Sequence, residues 1–229
     1  MLELVLTVPP WFEFLATITG AIGGAMAASR ANFDILGTVV MATIMGLFGG
    51  VIRDILLQNY GIYAFSRPEL ILTCVITGVV VFYFGTLVTY LNRGIDIIDS
   101  VGIGLWAVIS AGKALSAGLG VVPAIILGLI SAIGGGVTRD VIMNRPVKAF
   151  LPGSLYGTAV VGGLAVYCAM RSFNILDDYS AYICAGLIIA VLLAAMKFGW
   201  RTKPSHDLTD VVTDAVMKPV RVLREPHEK

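Results

Sequence analysis

Gly134-Gly135-Gly136-Val137-Thr138-Arg139-Asp140 is the second appearance of a phrase first written as Phe48-Gly49-Gly50-Val51-Ile52-Arg53-Asp54. Each copy sets adjacent glycines inside an apolar run and follows them with an arginine and an aspartate. Glycine in mid-helix costs roughly 1 kcal/mol relative to alanine. An arginine or aspartate at the centre of a bilayer costs about 2.5–3.5 kcal/mol on insertion scales. A chain that carries both costs twice, in matched places, uses them.

Around this phrase the chain is apolar throughout. Of its 229 residues, 57% are hydrophobic and 14% charged, with mean hydropathy +0.88, whereas soluble domains carry about 25% charged residues. This is the composition of a membrane protein. The net charge of +1 supplies no basic field for nucleic acid. Cys74, Cys168 and Cys184 fall in apolar runs without CxxC spacing, so neither a disulfide framework nor a zinc site is expected. Both histidines, His206 and His227, lie in the C-terminal tail. The membrane body therefore offers no histidine, no Ser-His pairing and no paired catalytic aspartates, and no enzyme is expected. Residues 1–10 lack lysine and arginine, which speaks against a cleaved signal peptide.

Seven apolar runs approach the 20 or so residues that a helix needs to cross about 30 Å of hydrocarbon: 11–29, 35–58, 69–91, 99–117, 121–144, 151–170 and 181–200. The expected architecture is an all-α transmembrane domain over 1–200 with a polar cytoplasmic tail over 201–229. In the tail, Leu208, Val211, Val212, Ala215 and Val216 keep helical spacing, which fits either a helix lying on the membrane surface or a solvated, frayed tail. With seven crossings, one side holds Arg30, Arg93, Arg145, Lys148, Lys197, Arg201, Lys203, Lys218, Arg221, Arg224 and Lys229, and the other only Arg67 and Arg171. That bias places the N-terminus outside and the C-terminus in the cytoplasm of a multi-pass cell-membrane protein.

Arg139 follows Arg53 by 86 residues, and at the same offset Asp99 follows Glu13. Segments one to three (about 11–91) thus correspond to segments four to six (about 99–170), with the seventh (about 181–200) outside the repeat. Three is odd, so the second copy enters from the opposite face and the halves are inverted, an architecture shared by many translocators. A helix broken at Gly49-Gly50 or at Gly134 to Gly136 frees carbonyls that can coordinate a cation and N–H groups that favour an anion. In the inverted arrangement Arg53 and Arg139 flank a constriction from opposite ends. The plainer reading is that such glycines only let helices approach, as in Gly20, Gly24 and Ala28, and that Arg53-Asp54 and Arg139-Asp140 close helix ends. Lys113, in Ser110-Ala111-Gly112-Lys113, has no charged counterpart at Ala27, and it either faces a cavity or snorkels to an interface.

The doubled Gly-Gly-x-x-Arg-Asp phrase, Arg67-Pro68 and Arg145-Pro146 after its two copies, and seven spans resemble the prokaryotic trimeric intracellular cation (TRIC) channel family, which overlaps the glycine-transporter-domain membrane proteins. The resemblance covers about residues 11–200. It implies a homotrimer in membrane lipid, one pore per protomer, conducting potassium and sodium, with no cofactor. It further implies that the second and fifth helices are kinked at Gly49, Gly50, Gly134, Gly135 and Gly136. The motif charges carried over are Arg53, Asp54, Arg139 and Asp140. The animal channels' Lys-Glu-Val signature is absent where Gly112-Lys113-Ala114-Leu115 stands, which speaks against phosphoinositide control. A cation path lined by Arg53, Arg139 and Lys113 without a ring of acids is unusual. Either the arginines are neutralised and carbonyls and hydroxyls such as Thr43, Ser131 and Thr138 handle the ion, or Lys113 and an arginine form a movable plug. A secondary transporter of a small amino acid such as glycine uses the same inverted halves, with an arginine holding the carboxylate.

Overall fold

The structure, a computed structural model, describes residues 9–58, 61–89, 94–153, 155–200 and 202. The amphipathic stretch expected within the tail lies outside the described residues. Helix α1 (Pro10–Arg30) starts with proline at N1 and carries Glu13 in its first turn, the placements that suit a missing N–H and a helix N-terminus. Helix α2 (Ile35–Leu57) is capped by Asp34, whose carboxylate accepts from Gly37 N at 2.7 Å, and stops at Gln58 in the left-handed region. A short α3 (Tyr63–Ser66) leads into α4 (Pro68–Thr89). Then follow α5 (Gly94–Ser116), α6 (Val121–Ile142), a 3-10 turn (Lys148–Phe150), α7 (Tyr156–Ser172) and α8 (Asp177–Phe198).

Six of these helices, α1, α2, α4, α5, α6 and α8, are long and apolar enough to cross a membrane. Helix α7 has 17 residues, short of the usual span. It begins five residues later than its apolar run because a turn occupies Pro152 and Gly153. Asp99, expected to open a helix, lies inside α5, and Asp96 takes the first-turn position.

Helices α1, α2 and α4 pack on one another around Met26, Leu47, Leu70 and Cys74, while α5 to α8 share a core around Ile109, Leu164, Tyr167 and Ile188. Large apolar side chains such as Leu72, Ile76 and Tyr83 on α4 point outward, as a lipid solvent requires. Trp11 and Trp200, half exposed near the two extremes of the helical body, suit membrane–water interfaces.

The two clusters meet where α2 crosses α6. A Cβ on Gly49 would collide with the Ser131 carbonyl oxygen, and one on Gly135 would lie 2.7 Å from the Met45 carbonyl oxygen. Rising numbers on α2 meet falling numbers on α6, so the helices cross antiparallel and Arg53 and Arg139 leave the crossing in opposite directions. Both helices remain α-helical across their glycines, so the carbonyls that a break would free stay within the helical ladder. At Gly49 and Gly135 the missing side chain is needed for backbone approach. Gly136, by contrast, has nothing within 4 Å of a built Cβ.

Gly49→Ala is therefore expected to destabilise by about 1–3 kcal/mol through overpacking. Gly136→Ala should be neutral or gain up to about 1 kcal/mol of helix propensity. Thermal unfolding in detergent checks the pair, at about 2–4 °C per kcal/mol for a chain of this size. Equal shifts for both variants would contradict the packing described.

Candidate functional site

The charged residues of the repeated phrase form two separate clusters, one at each end of the crossing. At the first, Arg53 on α2 is 1% exposed. Its Nε donates to Asp54 Oδ1 at 2.8 Å, and its Nη1 lies 3.6 Å from Glu13 Oε1 on α1. The Lys113 ammonium, arriving from the end of α5, donates to the same Glu13 oxygen at 2.5 Å. It also stands 4.1 Å from the centroid of the Tyr63 ring, a cation–π contact. Burial, with the Glu13 carboxylate behind it, raises the Tyr63 phenol above its ordinary value, so the ring stays neutral beside the lysine. Asp54 uses its other oxygen to accept the Tyr63 N–H at 2.9 Å. Two bases meet two acids, and the cluster is neutral.

At the second end, Arg139 on α6 donates from Nε to Asp140 Oδ1 at 2.9 Å and from Nη1 to Asp99 Oδ2 on α5 at 3.1 Å. The same Nη1 also faces the Met45 sulfur at 3.8 Å. Asp140 accepts the Lys148 backbone N–H at 3.0 Å, as Asp54 accepts that of Tyr63. Each aspartate of the phrase thus ties its helix end to the loop that follows. Ala27 stands where a second lysine would sit, and here Arg139 alone bonds both acids, with Lys148 the second base nearby. Asp99 Oδ1 is buried without a hydrogen-bond donor among the described residues. Such an oxygen loses its hydration at a cost of about 1–3 kcal/mol, and it is a ready ligand for a cation.

A cavity of about 50 Å³ opens at this second end, lined by Asp99, Arg139, Asp140, Gly136, Lys148 and Tyr156 and reaching inward to Gly49, Ser131 and Trp106. That volume holds a few waters. At its inner end Ser131 Oγ donates to the Gly49 carbonyl at 2.8 Å and accepts from Ser110 Oγ at 2.6 Å. Arg53 and Lys113 do not line this cavity. They face Glu13.

Of the hydroxyls singled out in the sequence, only Ser131 reaches the cavity. Thr43 and Thr138 each donate to the carbonyl one turn back in their own helix, Val39 at 2.9 Å and Gly134 at 2.8 Å, and neither lines it. The residues missed are Glu13, Asp99, Met45 and Trp106. The first two carried a visible signal, since they match at the 86-residue offset. No group of three or more metal-ligating side chains occurs among the described residues.

One family model, described as Glycine transporter, matches the chain twice, over residues 10–86 and 96–172, with the same 86-residue spacing as the repeated phrase. A UPF0126 membrane protein of Deinococcus radiodurans is 29% identical over 87% of this chain and 93% of its own length. The Escherichia coli inner membrane protein YadS is 25% identical over 84% of this chain and 93% of its own. Among solved structures, a TRIC cation channel superposes with TM-score 0.80 at 25% identity, covering 87% of this chain and 98% of that one. The TRIC trimeric intracellular cation channel orthologue from Rhodobacter sphaeroides superposes with TM-score 0.79 at 28% identity, covering 83% and 97%. With both halves matched by one model and the whole helical body matched by these structures, the chain belongs to the glycine-transporter family of multi-pass membrane proteins, in its TRIC-like, UPF0126 branch.

Proposed function

We propose that the protein is a monovalent cation channel that passes potassium and sodium through one path per protomer of a homotrimer. Seven spans, counting α7, form two inverted halves with α8 outside the repeat. The lysine and arginine bias sets the N-terminus outside and the C-terminus in the cytoplasm, so the cavity at Arg139 opens to the cytoplasm. The observation that carries the reading is a carboxylate in that cavity: Arg139 faces both Asp99 and Asp140, and an unpartnered oxygen of Asp99 is buried beside it. Arg139 and Lys148 balance the two acids of the lining, and the Asp99 oxygen left without a donor is the group that favours a cation in this narrow setting. The opposite end carries the paired cluster of Arg53, Glu13 and Lys113, and opening bends α2 and α6 at their glycines.

Reconstitution into potassium-loaded liposomes and planar bilayers tests this. Unitary current steps with cation over anion selectivity are expected. A cavity open to one end only is also what a carrier presents between turnovers, which keeps the second reading, a secondary transporter of a small amino acid. Saturable glycine uptake coupled to an ion gradient, without current steps, would select it.

Lys113→Ala removes one of two bases from the Arg53 end while Arg53 still neutralises Glu13. One charge crossing the full field is worth about 2.3 kcal/mol per 100 mV, so open probability and its voltage dependence are expected to change in bilayer recordings. An unaltered current would remove Lys113 from the mechanism.

A further inference from the structure

Besides Lys113 and Ala27, the two ends of the α2–α6 crossing differ at a second pair of positions. At the 86-residue offset Gly50 corresponds to Gly136, and Gly20 to Trp106. A Cβ built on Gly50 would lie 2.8 Å from the Trp106 ring, whereas one on Gly136 meets nothing within 4 Å. The large indole occupies one end, and the position equivalent to it at the other end has no side chain. The cavity lies at that other end, with Gly20 and Gly136 in its wall and Trp106 at its inner limit.

Two further observations place the indole between the cavity and the Arg53 cluster. Its far side faces the Arg53 guanidinium, 5.6 Å from the ring centroid. Its Nε1–H is buried without an acceptor among the described residues. Among the described residues no hydrogen bond anchors the indole, and what holds it is packing in the core and against Gly50, with the Arg53 guanidinium over the ring.

We propose that Trp106 is the plug of the translocation path: its indole, seated on Gly50, ends the aqueous cavity at mid-crossing, and the path becomes continuous to the Arg53 end only when the indole leaves that seat. This rests on the channel reading for what crosses, but the blockade itself is a matter of access and is measured separately.

The test uses Gly136→Cys, a thiol placed in open space within the cavity wall, in full-length protein whose Cys74, Cys168 and Cys184 are replaced by alanine. The probe is a membrane-impermeant trimethylammonium methanethiosulfonate, applied to one face of the proteoliposome at a time. With Trp106 present, modification is expected from the Arg139 face alone. Trp106→Gly should raise modification from the opposite face at least tenfold while leaving that from the Arg139 face unchanged, and Trp106→Phe should retain closure. Trp106→Leu, the milder truncation, should give an intermediate rate, and it reads the same question should the glycine variant not fold. Modification that stays one-sided in Trp106→Leu and Trp106→Gly overturns the plug. Potassium flux in the same liposomes separates the two ideas. Two-sided modification with no flux in any variant ends the channel reading and leaves the plug standing. One-sided modification with robust flux does the reverse.

Discussion

Glu13→Ala is expected to be the most damaging single substitution in the membrane body. Glu13 is 6% exposed and is the shared partner of Arg53 and Lys113, so its loss leaves two buried bases with Asp54 as their acid. Removing one member of a buried ion pair costs about 3–5 kcal/mol, because the remaining charge is left uncompensated. At about 2–4 °C per kcal/mol, the unfolding midpoint in detergent should fall by roughly 6–20 °C. Pairing the change with Lys113→Met removes one of the orphaned charges and should restore part of the loss, since residues in one ion-pair network couple by about 0.5–3 kcal/mol. A fall no larger than the half kilocalorie or so typical of surface substitutions would show that the cluster is not a structural keystone.

Asp99→Asn should have the largest effect on transport. The substitution keeps the side chain's size and a carbonyl oxygen for Arg139, but it takes the negative charge at the unpartnered Asp99 oxygen out of the cavity. A unit charge about 4 Å from an ion is worth about 4 kcal/mol at an effective dielectric near 20. Even a third of that is about a tenfold change in occupancy. Potassium flux is therefore expected to fall at least tenfold. The unfolding midpoint should move far less than in Glu13→Ala, because Arg139 keeps Asp140 at 2.9 Å. Unchanged flux with an unchanged fold would remove Asp99 from the ion path and, with it, the charge argument for a cation.

Much of this molecule was legible in its residues. The doubled phrase gave the repeat, because sequence offset is preserved when a unit is duplicated, and six of the seven apolar runs match helices long enough to span a membrane, with ends up to five residues apart, while the run at 151–170 holds the shorter α7. The intramembrane arginines turned out to be neutralised, as one of the two sequence readings required. Asp54 and Asp140 neutralise them from the same helices, and Glu13 and Asp99, 40 residues before Arg53 and Arg139, join them from α1 and α5. Their register was visible, but the contact depends on how α1 and α5 pack.

The glycines admitted two readings, a break or a close approach of helices, and the structure uses Gly49 and Gly135 for backbone approach within continuous helices. A sequence does not distinguish these roles, since both need a residue without a side chain. The threonines fail for a local reason: a hydroxyl in a helix can always turn to the carbonyl one turn back, and Thr43 and Thr138 do so. Trp106 drew no notice because a tryptophan in an apolar run reads as core. Its meaning lies in its comparison with Gly20.

The contact of Gly49 with the Ser131 carbonyl and of Gly135 with the Met45 carbonyl is reciprocal, because Met45 and Ser131 are themselves separated by 86 residues. In the language of oligomers it is an isologous interface folded into one polypeptide. A single half living alone would carry both the groove and the carbonyl that fits it, and would pair with an identical half. Joining the halves in one gene ends the obligation to stay identical. One end can then accept an indole and a lysine while its counterpart keeps a glycine and an alanine, and the two ends take on different chemistry.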